Sequence, residues 1–341
     1  MSQTTNDSSA SSPKRLERFM QTFGPLLALA VVWIGFGLLE SYLQQTAFLH
    51  SAIFTPDAVS QVVQQSVVIG IAAIGMTLII ISAGIDLSIG SAIALCSIVG
   101  AKLIVSGQGP LTVVAGTLIT GALCGLGIAL LVVRIRLIPF ITTLGTLLVL
   151  RGLALALANS QPINVQDSAW LRFWLNGLPA GWKWLIIPPG GWLMIGLALL
   201  VSLALRFTVF GRHIFAVGSN EQTARLCGVA VDRVKIWVYV LGGIFAAISG
   251  LMLASNQGQG DPTGASGYEL DIIAAVVIGG ASLNGGIGSV FGSLVGALIM
   301  TVIRVGCGLN GIEESTTRIV TGTIIVVAVL VDRLRQQTGK S

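Results

Sequence analysis

Residues 62–82, VVQQSVVIGIAAIGMTLIIIS, contain no charged side chain. As an α-helix this stretch is about 31 Å long, the thickness of the hydrocarbon core of a bilayer. In lipid every backbone amide and carbonyl must be satisfied within the segment, which restricts spanning structures to helices and closed barrels. A barrel would alternate apolar and polar residues in strands of about ten, and this run does not alternate. The same reading applies along the chain: 54 % of the 341 residues are hydrophobic and 10 % charged, against about 25 % charged in soluble domains. The fold class is therefore an all-α membrane protein.

Spans are predicted at about 24–43, 62–82, 89–106, 111–132, 138–158, 191–209, 236–256, 271–283, 290–308 and 317–332, about ten transmembrane helices, of which 271–283 is short. The polar residues 1–18, ending in a basic cluster, read as a disordered cytoplasmic tail. Residues 19–335 are expected to form one transmembrane domain, and 336–341 a second cytoplasmic tail. A cleaved signal peptide is not expected, because the first apolar run is a full span without a small-residue cleavage site. With both termini cytoplasmic, thirteen Lys and Arg residues fall in inside segments and two, Arg172 and Lys183, outside. That is the positive-inside pattern of a multi-pass membrane protein, and it accounts for the net charge of +5 without nucleic acid. Lipid is the expected surrounding. The outer segment 159–190 holds Trp170, Trp174, Trp182 and Trp184 with Pro179, Pro188 and Pro189, and suits the membrane–water interface.

Glycine occurs 43 times, as expected where helices approach closely in lipid. Cys96, Cys124, Cys227 and Cys307 are scattered, and His50 and His213 are the only histidines, so neither a disulfide nor a metal site is expected. No catalytic set and no phosphate-gripping loop can be assembled, so the chain is not expected to be an enzyme. DLSIGS at 86–91 is echoed by NGGIGS at 284–289, each after an IAA run, which points to two related halves.

The longest inner loop, 206–235, contains SNEQTARLCG. This predicts a helix of about two turns, capped by Ser219 or Asn220 with Gln222 completing a capping box. Glu221 suits its N-terminus, Arg225 its C-terminus, and Gly228 a left-handed stop. Leu226, Cys227 and Val229 would be its exposed apolar residues. So short a helix is marginal alone and needs something to dock against.

Three ordered motifs, GIDLSIGS at 84–91, GSNEQTARLCGV at 218–229 and PTGASGYELDIIAAVVIGGASLNGG at 262–286, resemble the ribose-type permeases, the membrane subunits of bacterial ABC importers for monosaccharides. The resemblance runs from about residue 60 to 335. It implies two permease copies, identical or paralogous, two ATP-binding cassette subunits below, and a periplasmic or lipoprotein sugar-binding protein above. ATP and Mg would be bound by the cassette subunit, leaving this chain without a cofactor. The segment around Ser219, Asn220, Glu221, Ala224, Arg225, Leu226 and Gly228 would couple to the ATPase. Ribose or a related pentose is the first expectation, with galactose, inositol and other polyols open. The chain departs from that pattern at Arg304 and at GIEES, 311–315, where Arg304 could pair with Glu313 or Glu314 or these charges could alter docking of the binding protein.

A carboxylate such as Asp86 costs roughly 2.5–3.5 kcal/mol or more at membrane depth. Asp86 is expected to cap span three across the turn Gly84–Ser88, and a sharper reading puts this turn and its echo, Asn284, Gly285 and Gly286, on the translocation pathway as gates. Arg151, deep in span five, should find Glu269, Asp271 or helix carbonyls, and Glu40 should reach toward the outer surface. The competing class is an ion-coupled secondary transporter of a small polar solute, using Asp86 and Arg151 as a relay.

Overall fold

The computed structural model describes residues 12–44, 48, 51–175 and 187–338. Helix α1 (Ser12–Gln44) lies on the periphery. Next come α2 (Pro56–Ile81), α3 (Ile89–Val105) and α4 (Pro110–Ala129), the last continued by a π-helical turn, Leu130–Arg134. Helix α5 (Pro139–Leu157), the short α6 (Ala169–Arg172) and α7 (Pro189–Phe207) follow. After them are α8 (Val209–Ser219), α9 (Glu221–Leu226), α10 (Val231–Gln257), α11 (Tyr268–Ile278), α12 (Val290–Leu309) and α13 (Glu314–Thr338). The tail predicted over 1–18 overlaps α1 from Ser12; residues 1–11 and 339–341, and the predicted interfacial Pro179, Trp182 and Trp184, lie outside the described residues.

Among the described residues seven helices are long and apolar enough to cross a membrane: the 24–43 part of α1, α2, α4 with its π turn, α5, α7, α10 and α12. Helix α3 is apolar but shorter. The segment predicted as a span at 271–283 forms α11, which stops at Ile278 after 11 residues, about 16 Å and too short to cross. Gly280, at φ 93°, turns the chain away there.

Helix starts follow local chemistry. Proline stands at the first turn of α2, α4, α5 and α7, where its missing amide is no loss. Thr55 and Ser289 hydroxyls accept from Ala58 N and Gly292 N, at 3.3 Å each, to begin α2 and α12. Helices α2 and α10 form the centre. They pack on each other and between α3, α4 and α12, and Ser249 Oγ donates to the Val68 carbonyl at 2.7 Å. Small residues set how near the backbones come. Gly121 of α4 rests on the Gly243 carbonyl of α10, and a Cβ at either position would strike the other's main chain.

One end of the bundle carries residues 82–88, the 134–138 link, 208–230 and 279–289. The other carries 51–55, 106–109, 158–175 and 310–313. At this second end β1 (Ile163–Asn164) pairs antiparallel with β2 (Gln259–Gly260), tying the 158–175 segment to the end of α10.

Candidate functional site: a lever joined to two turns

Thr208 ends α7 and starts α8, its hydroxyl accepting from Gly211 N at 3.0 Å. Helix α8 then buries Ile214, Val217 and Gly218. Asn220 breaks it with extended backbone (φ −160°), and its Oδ1 accepts from Thr223 N at 2.8 Å, starting α9. Asn220 is thus the cap. Ser219 is instead the last residue of α8, so the predicted capping box with Gln222 does not form. The stop is as read from the sequence: Gly228 has φ 82°, and Val229 N closes back on the Ala224 carbonyl at 3.0 Å. Ala224 is buried, Cys227 is exposed, Val229 is half-buried, and Leu226 is 89 % exposed.

Four charges brace this small helix against α10. Lys235 Nζ donates to Glu221 Oε2 at 2.5 Å, and Arg225 Nη2 reaches Asp232 Oδ1 at 2.8 Å and Glu221 Oε1 at 3.4 Å. Partial burial pushes the Glu221 carboxyl up, but Lys235 and Arg225 outweigh it and hold it below its ordinary range. Asp232, and behind it Glu221, raises the Arg225 guanidinium. Glu221, Gln222, Arg225 and Leu226 line an open concavity on the outward face.

The two glycine turns singled out in the sequence meet at the end of α8. Gly286 N donates to the Ile81 carbonyl at 2.9 Å, Gly285 lies on Ala83, and Gly218 sits against both Ile81 and Gly286. The close approach leaves no room for a Cβ at Gly218, and Gly285 (φ 84°) and Gly286 (φ 74°) occupy the left-handed region that glycine tolerates. Asn284 N donates to Ser282 Oγ at 3.2 Å, which shapes the second turn. One level deeper, Thr77 Oγ1 donates to Ser293 Oγ at 2.7 Å and ties α2 to α12.

Asp86 is buried between Gly84 and Ser88, with Oδ1 accepting from Ser88 N at 2.8 Å and Ser88 Oγ at 2.6 Å. It therefore closes a tight turn ahead of α3. The cap position itself belongs to Ser88, whose hydroxyl is turned back to Asp86. Among the described residues no hydrogen bond joins Asp86 to Gly285 or Gly286.

The intramembrane charges pair differently from the sequence reading. Arg151 Nη1 donates to the carbonyls of Pro262 and Gly264, at 2.7 and 2.9 Å, in the 261–267 segment, and forms no ion pair with Glu269 or Asp271 among the described residues. Asp271 pairs instead with Arg304, whose guanidinium lies 4.6 Å from the Tyr268 ring centroid. Arg304 does not reach Glu313 or Glu314; Glu314 pairs with Arg318 at 3.1 Å. The antiparallel packing of α11 on α12 brings the two together across 33 residues of chain. Glu40 does not reach for the surface. It is buried and accepts from Ala52 N and Ile53 N at 2.6 and 3.3 Å. Among the described residues no group of His, Cys, Asp and Glu is placed to hold a metal.

Apolar helices long enough to span, packed around a buried α2, define a multi-pass membrane protein. The chain belongs to the family described as branched-chain amino acid transport system / permease component, which it matches over residues 58–329. It is 39 % identical to the ribose import permease protein RbsC of Escherichia coli (strain K12) over 291 residues, 84 % of this chain and 89 % of that one. It is 35 % identical to RbsC of Bacillus subtilis (strain 168), covering 92 % and 93 %. It is 33 % identical to the L-arabinose transport system permease protein AraH of Escherichia coli (strain K12), covering 91 % and 94 %. No solved structure matches the chain.

Proposed function

We propose that this chain is the membrane subunit of an ATP-driven importer for a monosaccharide, ribose or a similar sugar, in the inner (plasma) membrane. The observation that carries the reading is the rigid link from α9 through Gly218 to the turns at Ile81–Ala83 and Gly285–Gly286. The end of the bundle that bears α9 also bears Arg134, Arg136, Arg206, Arg212, Arg225, Arg233 and Lys235, which favours the cytoplasmic side. A motor docked there through Leu226 and the concavity beside Arg225 would move α8, and α8 would move both turns. The relatives named for ribose and L-arabinose support a sugar as cargo.

In this reading two ATPase subunits bind ATP and Mg, a second permease copy completes the pathway, and a sugar-binding protein delivers cargo from outside. The ten crossings include α3, α13 and one made jointly by the irregular 261–267 segment and the short α11, and both termini are cytoplasmic. Asp86 and Arg151, which a relay would use, are engaged within the chain.

Leu226→Asp in the reconstituted complex tests this. Placing a charge at an apolar anchor is expected to weaken ATPase binding by about 30-fold or more, a loss of about 2 kcal/mol. D-ribose uptake should fall with it while the permease still folds. Full uptake in this variant, or uptake that continues without the ATPase, would overturn the reading.

A further inference from the structure

Between β2 and α11 the chain does not stay at the end of the bundle. Gly260 lies on Ser97 and Ala101 of α3, and further along, Ala265 and Glu269 lie against Gly90, in the first turn of α3. Gly90 is fifteen residues from the far end of α3, about 22 Å along the axis. Residues 261–267 therefore descend deep into the bundle as irregular backbone and return as α11. Arg151, about 9 Å in from the end of α5, holds the descent through the Pro262 and Gly264 carbonyls. Irregular backbone at this depth is tolerated only where protein covers it or where it lines water.

Protein covers it only in part, burying Pro262, Gly264 and Ala265. Thr263 and Ser266 are exposed, and Asp261, Gly267 and Glu269 are half-exposed. The hydroxyl protons are already committed: Thr263 Oγ1 donates to Asp261 Oδ1 at 2.7 Å, and Ser266 Oγ donates to the Thr263 carbonyl at 2.6 Å. What these side chains offer outward is lone pairs. Behind them Ser91 is fully buried with its hydroxyl making no hydrogen bond in the chain, and Glu269 Oε2 is buried in the same state, a condition that calls for a polar partner.

We infer that the 261–269 segment is a water-lined face of the translocation pathway, and that Thr263, Ser266 and Glu269 present acceptors to the hydroxyl donors of a polyhydroxylated solute passing it. An acceptor-rich face suits a neutral polyol and disfavours an anion, whose oxygens it would oppose. Two exposed hydroxyl acceptors and a half-buried carboxylate, without a matching cavity, bind weakly, as a pathway requires. The inference deepens the importer reading and rests on it for the identity of the solute, while the location of the pathway stands on the geometry alone.

Ser266→Cys in the reconstituted importer, treated with a water-soluble, membrane-impermeant maleimide, tests the location without ATP. Peptide mass spectrometry should find the introduced thiol consumed while the buried Cys96 of the same chain stays intact, and labelling should abolish D-ribose uptake. An introduced thiol as unreactive as Cys96 means a lipid-facing or sealed segment and overturns the inference, whatever the ATPase does. For the chemistry, Ser266→Ala is expected to lower D-ribose transported per ATP hydrolysed by about 3–10-fold, the worth of one lost hydrogen bond. An unchanged ratio overturns the assigned contact. An importer whose ATPase no longer responds to its partners, yet whose introduced thiol labels, would support the pathway while counting against the coupling described above.

Discussion

Glu40 shows how a single carboxylate finds a place in an apolar bundle. Its neighbours in sequence suggest a side chain reaching for water, since it lies near the end of an apolar run. What it reaches is the start of a one-turn 3-10 helix at Ala52–Phe54, whose free amides are as short of partners as the carboxylate is. Ser51 Oγ adds a bond to the Gly37 carbonyl at 2.9 Å, so the turn is fastened to α1 at two points. Glu40→Ala leaves the Ala52 and Ile53 amides unpaired and is expected to cost about 1–3 kcal/mol. Thermal unfolding of the purified permease in detergent should show the midpoint falling by several degrees. An unmoved midpoint would mean that Ser51 alone holds the turn. Arg304 teaches the same lesson: its partner Asp271 lies across a helix pair, where local sequence does not lead.

At the scale of elements, α9 is shorter than a helix that could persist alone, and its order comes from its ends and its brace. Asn220 and Gly228 fix the boundaries, while Glu221, Arg225, Asp232 and Lys235 fix the angle to α10. Because Glu221 ionises more easily when folded than when free, its contribution is complete above its ordinary value of about 4.3. It is lost as pH falls through the lower, folded value. The difference in stability between the native chain and Glu221→Gln should therefore be constant through neutral and mildly acidic conditions. It should vanish only once the pH has fallen below that folded value, read from unfolding midpoints across pH. A difference that grows on acidification would reverse the sign and remove the brace. The loop was legible in the sequence because capping and charged residues stand out in an apolar chain. What it abuts was not, since the glycines at 218, 285 and 286 read equally well as general helix packing.

For the molecule as a whole, apolar length was enough to place most spans, because lipid makes the same demand of every crossing. It could not separate a crossing from a partial one. The 271–283 run is as oily as its neighbours, and only packing shows that α11 begins deep in the bundle and ends early. The descent of 261–267 carries no period that hydropathy could reveal. The alternative of an ion-coupled carrier is tested at this scale. Purified permease in vesicles, given a proton or sodium gradient and labelled D-ribose, is expected to accumulate none above the outside concentration, and uphill accumulation would refute the passive role.

Where Gly218 rests on Ile81 and Gly286, main chain lies on main chain. No side chain stands between them to rotate, compress or swing aside, so this joint has no slack. In the importer proposed above, a displacement arriving from the motor would reach both turns together. Such a machine would have no clutch: its stroke would be set by the spacing of the parts, and idling would require letting go of the motor.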